Sequence, residues 1–150
     1  MKDLHSNIKV VEGLAPIVLT ADQNCATIDR QGFESVEHIV LLGATGDTLS
    51  GSVYIDLVLQ DSDDGSTWGD VTAANDVIVG GDGVSTAPDA NGIFATIDDN
   101  AEDDRHFRIG YRGGKRYSRV QIDLTGTHTN GTEAACLAIL GDPQQGGTSD

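Results

Sequence analysis

An all-β fold, a single-domain β-sandwich that admits a jelly-roll arrangement and carries at most one short helix, is what this 150-residue sequence predicts. Three observations predict it. Apolar and polar residues alternate with period two over several segments, the signature of strands with one buried face. Short apolar runs are separated by Gly- and Asp-containing turn sequences every ten to fifteen residues. No segment keeps a convincing 3.6-residue period, and Asp, the commoner acidic residue, is a poor helix former.

In order along the chain, Met1–Ser6 is polar and expected to fray. An arm over about residues 1–15 leads into a first strand candidate at Pro16–Thr20, with a second at Cys25–Asp29. Val36–Leu42 is apolar on both faces apart from Glu37 and His38, as expected of a central strand covered on both sides. In Gly51–Gln60, Val53, Ile55, Leu57 and Leu59 share one face. Asp64-Gly65 suits a primed turn, in which φ is positive. Val71–Val79 has room for one helical turn around Ala73–Asp76. Gly80-Gly81-Asp82-Gly83 opens a flexible stretch to Asn91, and Gly92–Ile97 is another short strand. Asp98–Asp104 is an acidic loop.

Phe107, Ile109 and Tyr111 alternate with polar residues in His106–Arg112, and Val120, Ile122 and Leu124 do so in Ser118–Thr125. With Gly113-Gly114-Lys115 between them, the two segments predict a β-hairpin. Asn130-Gly131 suits a second primed turn. Ala134–Leu140 is a second strand apolar on both faces. A polar tail over about 142–150 completes one domain spanning 1–150, long enough to bury a core without staples.

Charge narrows the function. Twenty-four acidic against nine basic residues give a net charge of −15, a field that repels phosphate and argues against duplex DNA or an anionic membrane as partner. No apolar run reaches the ~20 residues of a membrane-spanning helix. Nothing at Met1–Asn7 resembles a signal peptide, so synthesis in a cytoplasm is expected. Cys25 and Cys136 could pair, but two cysteines are not a disulfide framework, and small buried hydrophobes are the simpler expectation.

No catalytic residue, cofactor site or metal site is predicted. Asp61–Ser66 has oxygen ligands around a Gly turn, but it departs from the EF-hand pattern, because Gly65 comes one place early and no Glu follows at the required distance. It is expected to be a solvated turn, and Asp98–Asp104 an acidic loop relieved by Arg105 and Arg108. His5, His38, His106 and His128 show no zinc spacing. His38 suits a core or interface position, and His106 and His128 a strand and a turn in solvent. Trp68 suits the edge of the core, with sugar stacking as the alternative. No nucleophile elbow, phosphate loop or dinucleotide fingerprint occurs, and a non-enzymatic protein is expected.

Six of the nine basic residues fall between 105 and 119. Arg108, Arg112, Lys115, Arg116 and Arg119 would concentrate positive charge on the predicted hairpin. Two readings that do not exclude each other apply: neutralisation by the neighbouring carboxylates, and a docking face for an acidic protein surface. Leu14 and Pro16, in the apolar arm, are further candidates for protein contact.

Several phrases together carry a family resemblance. They are Ser6–Pro16 (SNIKVVEGLAP), Thr20-Ala21-Asp22, Gln31–Ser35 (QGFES), Ser62–Trp68 (SDDGSTW) and Arg108–Tyr117 (RIGYRGGKRY). The set, spread over Ser6 to Gly141, resembles small structural proteins encoded beside the major capsid protein in tailed phages and prophages. The resemblance implies a capsid decoration, or cement, protein on the outer surface of an icosahedral head. Its implied partners are the major capsid protein and neighbouring copies of itself, as a trimer, with neither nucleic acid nor membrane. The rival readings are a carbohydrate-binding or receptor-binding head-fibre module and a head–tail or tail component.

Overall fold

The computed structural model describes residues 3–144. Among the described residues, eleven strands and two single 3-10 turns (His5–Asn7, Ala74–Asp76) follow one another. The strands are β1 (Ile8–Leu19), β2 (Gln23–Asn24), β3 (Ile28–Asp29), β4 (Phe33–Thr45), β5 (Tyr54–Ser62), β6 (Gly69–Asp70), β7 (Val77–Ile78), β8 (Ile93–Ile97), β9 (Arg105–Tyr111), β10 (Tyr117–Thr125) and β11 (Thr132–Pro143). The second 3-10 turn lies where a helical turn is expected.

Two antiparallel sheets form the sandwich. Sheet A has the order β1-β11-β4-β9-β7. Sheet B has the order β2-β10-β5-β6, with β3 also on β10 and β8 also on β5. The pairing has a simple rule: β1 lies on β11, β2 and β3 on β10, β4 on β9, and β5 on β8. Strands therefore pair from the two chain ends inward, like a long double ribbon wrapped around a core. This is the jelly-roll arrangement.

The core lies between the sheets. From sheet A it receives Val36, Val40, Leu42, Phe107, Ile109, Ala138 and Leu140. Sheet B contributes Ile55, Leu57, Leu59, Ile97, Val120 and Ile122. These lie on β4, β5, β8, β9, β10 and β11, and in β5, β9 and β10 they are the alternating residues expected to face inward.

The wrapped ribbon overturns the predicted hairpin. β9 belongs to sheet A, on β4 and β7, whereas β10 belongs to sheet B, on β5. Both strands alternate as a hairpin would, but the glycines between them serve a crossing from one sheet to the other. The chain instead makes a short-range hairpin between β5 and β6, joining Gln60 to Asp70 and Asp61 to Gly69.

The two predicted primed turns are also corrected. Gly65 and Gly131 take φ of 73° and 78°, but Asp64 and Asn130 do not enter that region. Side chains set these turns instead. The Asp64 carboxylate accepts hydrogen bonds from the backbone N–H groups of Ser66 and Thr67, and Asn130 Nδ2 donates to the Gly46 carbonyl at 2.9 Å. A side chain at Gly131 would come within 2.6 Å of the Leu19 carbonyl oxygen.

The expected arm is a strand from Ile8 onward, bonded to β11 along its length. Its alternation is obscured by register shifts between Glu12 and Leu14 and between Leu14 and Ile17. Of the expected tail, Asp142 and Pro143 extend β11 and the Gln144 N–H donates to the Gly32 carbonyl; positions 145–150 lie outside the described residues, as do positions 1–2 of the expected N-terminal fray. Within the Gly80–Asn91 stretch, Val84 and Pro88 are buried.

Cys25, in the β2–β3 connection of sheet B, is joined by a disulfide to Cys136 on β11 of sheet A. The expectation of two separate small hydrophobes is corrected: both are buried, and they staple the two sheets together.

Candidate functional site

The two outer faces of the sandwich differ in chemistry. Side chains opposite one another in an antiparallel pair lie on the same face. On sheet B the register therefore gives outer rows Asp123–Asp56–Thr96 and Arg119–Gln60–Asp70. Thr96 Oγ1 donates to Asp56, Gln60 Nε2 donates to Asp70, and Arg119 Nε donates to Gln60. This is a polar, acidic face.

On sheet A the outer rows are Val10–Ile139–Glu37, Glu12–Leu137–Ile39–Arg108 and Ala135–Leu41–His106. Val10 is 59% exposed and Leu41 42% exposed, with Ile78 on the edge strand at 58%. Leu4 and Asn7 line a groove with Ile139 and Glu37 at one end of this face, and Gly80 and Gly81 line another with Glu37, Ile78 and Arg108 at its edge, while Val10 and Leu41 stay open. β4 and β11 are central strands, as expected, but only one of their two apolar faces is covered by the chain itself.

The basic cluster does not form one patch. Arg108 stands on the outer face of sheet A, where its guanidinium meets Glu37 at 3.5 Å and also Asp82. Arg119 lies on the opposite face of the molecule, stacked on the Trp68 ring at 4.2 Å. Burial lowers the Arg119 pKa. Arg112, Lys115 and Arg116 sit in the crossing between the sheets. Lys115 Nζ pairs with Asp61 at 2.7 Å, and Arg116 makes two bonds to the Asp29 carboxylate. That pairing holds the Asp29 carboxyl below its usual range and raises the guanidinium. Arg112 donates through Nε to the Asn75 carbonyl at 2.7 Å. Among the described residues it has no carboxylate partner.

Beneath this crossing lies a closed network. The Tyr111 hydroxyl donates to Asp61 Oδ2 at 2.9 Å and accepts the Lys115 N–H at 3.2 Å. Burial, then the bond to Asp61, pushes the Tyr111 hydroxyl well above its ordinary pKa. The network ties sheet A to sheet B at the end of the sandwich where the charges gather.

The remaining predicted residues fall as follows. Leu14 packs against the core, while Pro16 is exposed on β1. His38 is buried and its Nε2 lies 2.8 Å from the Ser118 hydroxyl across the core. His106 is exposed as expected. His128, expected in solvent, is buried, with Nε2 against the Thr125 carbonyl at 3.1 Å; the segment between β10 and β11 folds over the end of the sandwich. Trp68 is half-buried.

The Asp61–Ser66 segment splits in two, with Asp61 buried and Asp64 ordering the turn. Backbone N–H groups, Thr67 first, hold the Asp64 carboxyl far below its ordinary pKa. In the acidic loop, Glu102 lies 3.9 Å from Arg105 and Asp103 accepts the Thr45 N–H, whereas Arg108 is turned toward Glu37 and Asp82. Among the described residues, no group of three or more His, Cys, Asp or Glu side chains could hold a metal ion. The apolar outer face of sheet A went unnoticed in the sequence. Its signal was present in the runs Val36–Leu42 and Ala134–Leu140, which supply one more apolar face than a two-layer sandwich can cover.

Fold and surfaces together define a two-sheet β-sandwich with one acidic, polar face and one open apolar face. No protein-family model matches the chain, and no curated protein matches it in sequence. Among solved structures, the SPBc2 prophage-derived protein YomS is similar over 95% of this chain and 99% of its own, at 9% identity and a TM-score of 0.45. The Yersinia pseudotuberculosis-derived mitogen is similar over 97% of each chain, at 11% identity and a TM-score of 0.37. A Bacillus endospore appendage protein, described as forming disulfide-linked pili, is similar over 96% of this chain and 97% of its own, at 14% identity and a TM-score of 0.37. Likeness at this level specifies neither a relative nor a role.

Proposed function

We propose that this chain is a non-enzymatic virion structural protein, a capsid decoration or cement protein that stabilises a tailed-phage head from its outer surface. The observation that carries this reading is the contrast between the two faces. A large apolar sheet face open to water favours association with protein. The acidic face opposite keeps assembled particles apart. The family resemblance of the Ser6–Gly141 phrases names the assembly: the major capsid protein and further copies of this chain. No nucleic acid or membrane partner is proposed.

The end of the sandwich bearing Arg112, Lys115 and Arg116 is the proposed contact to the capsid. Lys115 and Arg116 already hold internal carboxylates, so Arg112 is the clean probe. Purified expanded heads lacking a decoration protein are titrated with the chain, and occupancy is counted per particle. Hundreds of copies are expected, as against a dozen or fewer for a head–tail component. Arg112→Glu is expected to weaken binding about tenfold at low salt and less at high salt. Occupancy of a dozen or fewer, or binding indifferent to Arg112→Glu, would count against the reading.

A further inference from the structure

One row of sheet A is self-complementary. Glu12, Leu137, Ile39 and Arg108 stand side by side across β1, β11, β4 and β9. A carboxylate lies at one end, a guanidinium at the other, and two aliphatic side chains between them. Rotating a second copy by 180° about an axis parallel to the strands, between Leu137 and Ile39, lays this row on itself in reverse. Glu12 of each copy then meets Arg108 of the other, and Leu137 meets Ile39. In the next row the small Ala135 meets the larger Leu41.

We propose that the outer face of sheet A is the interface between two copies of this chain, related by a two-fold axis parallel to the strands. The inference rests on the reading of the chain as an assembly protein and names the partner at its apolar face.

Three observations favour a second copy over another occupant. The first is charge. The chain carries −15 overall, so two copies repel unless they meet where carboxylates are matched. Sheet B sets Asp56 opposite Asp123 in one row and Arg119 against Asp70 in the next, with no aliphatic side chain in either. Sheet A offers Glu12, exposed and without a charged partner among the described residues, on the far edge from Arg108. The second is size. Strands of 12, 12 and 13 residues in β1, β11 and β4, with the 7 residues of β9 beside them, give a face on the order of 700 Å2, close to the ~800 Å2 that one partner contributes to an ordinary stable interface. The third is shape. A pleated sheet packs on another with strands aligned within about 30°, and the row permits that alignment. A two-fold contact uses the same face on both copies, which a three-fold contact cannot do; the trimer implied by the family resemblance is not the assembly proposed at this face.

The test is the oligomeric state of the full chain by analytical ultracentrifugation, with melting curves to confirm folding. Wild type is expected to be a dimer at micromolar concentration. Leu137→Glu and, separately, Glu12→Arg are expected to raise the dissociation constant about tenfold or more. Because Arg108 also holds Glu37 and Asp82, the reversal is read in combination: Glu12→Arg with Arg108→Glu is expected to restore the dimer. A wild-type monomer, a trimer, or a dimer indifferent to Leu137→Glu overturns the proposal. Failure of an intact dimer to occupy heads would sink the capsid reading and leave this interface standing.

Discussion

At the scale of single residues, His38 shows how a polar side chain survives in an apolar strand. It points from β4 into the core and reaches the Ser118 hydroxyl on β10. Burial lowers its pKa from 6.5 to about 4, so the folded chain holds it neutral. The unfolded chain takes up the proton near pH 6.5, and the folded one resists until about pH 4. Stability is therefore full above pH 6.5 and is lost as pH falls between those values, by about 3 kcal/mol in all. Asp29, Asp47 and Asp64 have lowered values, and their losses start only below about pH 4. Glu37 and Asp123, raised mainly by burial, act with the opposite sign near the foot of the window. Urea midpoints measured from pH 7 to 4.5 should fall for wild type and stay flatter for His38→Gln. Equal slopes for the two would show that burial of His38 does not control acid sensitivity.

At the scale of elements, the pleat writes its inward face into the sequence and leaves its partners unwritten. Val53, Ile55, Leu57 and Leu59 were legible as one face because burial imposes period two. The partners of β9 and β10 were not, because the same alternation fits a local hairpin and a strand on the opposite sheet. Side chains also override turn signals, as Asp64 and Asn130 do beside their glycines. Cross-strand neighbours become visible only once register is fixed. Asp123 of β10 stands directly opposite Asp56 of β5, its Oδ1 buried and without a hydrogen bond. Burial, then the charge of Asp22, raises the Asp123 pKa. Like charges directly opposite destabilise a sheet by up to about 1 kcal/mol. Asp123→Asn is accordingly expected to stabilise the chain by about 0.5–1 kcal/mol at pH 7. The gain should vanish as pH falls through the raised pKa toward 3.8, where wild type neutralises the same group itself. A midpoint unchanged or lowered at pH 7 would show that Asn loses more in local bonding than it gains in charge.

At the scale of the whole molecule, the wrapped ribbon makes the first strand depend on the last, and the core closes only when both chain ends have returned. Long-range pairing of this kind carries a large entropy cost in the unfolded chain. The disulfide acts on that same term. Cys25 and Cys136 are 111 positions apart, so the bond nearly closes the chain on itself while crossing from sheet B to sheet A. A closed loop of that length removes conformational freedom worth about 2–5 kcal/mol from the unfolded state. The sequence held both cysteines but not their meeting, which needs the β1–β11 pairing and the β2–β10 pairing at once. Reducing the bond should lower the urea midpoint by that free energy divided by the m-value and leave the two-sheet core intact, because both cysteines remain as small buried side chains beside Ile28, Val120 and Ala138. Midpoints with and without reductant, with thiol titration to prove reduction, measure it. A midpoint that does not move on full reduction would mean that the ribbon is already closed in the unfolded ensemble, or that the bond strains the fold as much as it restrains the chain.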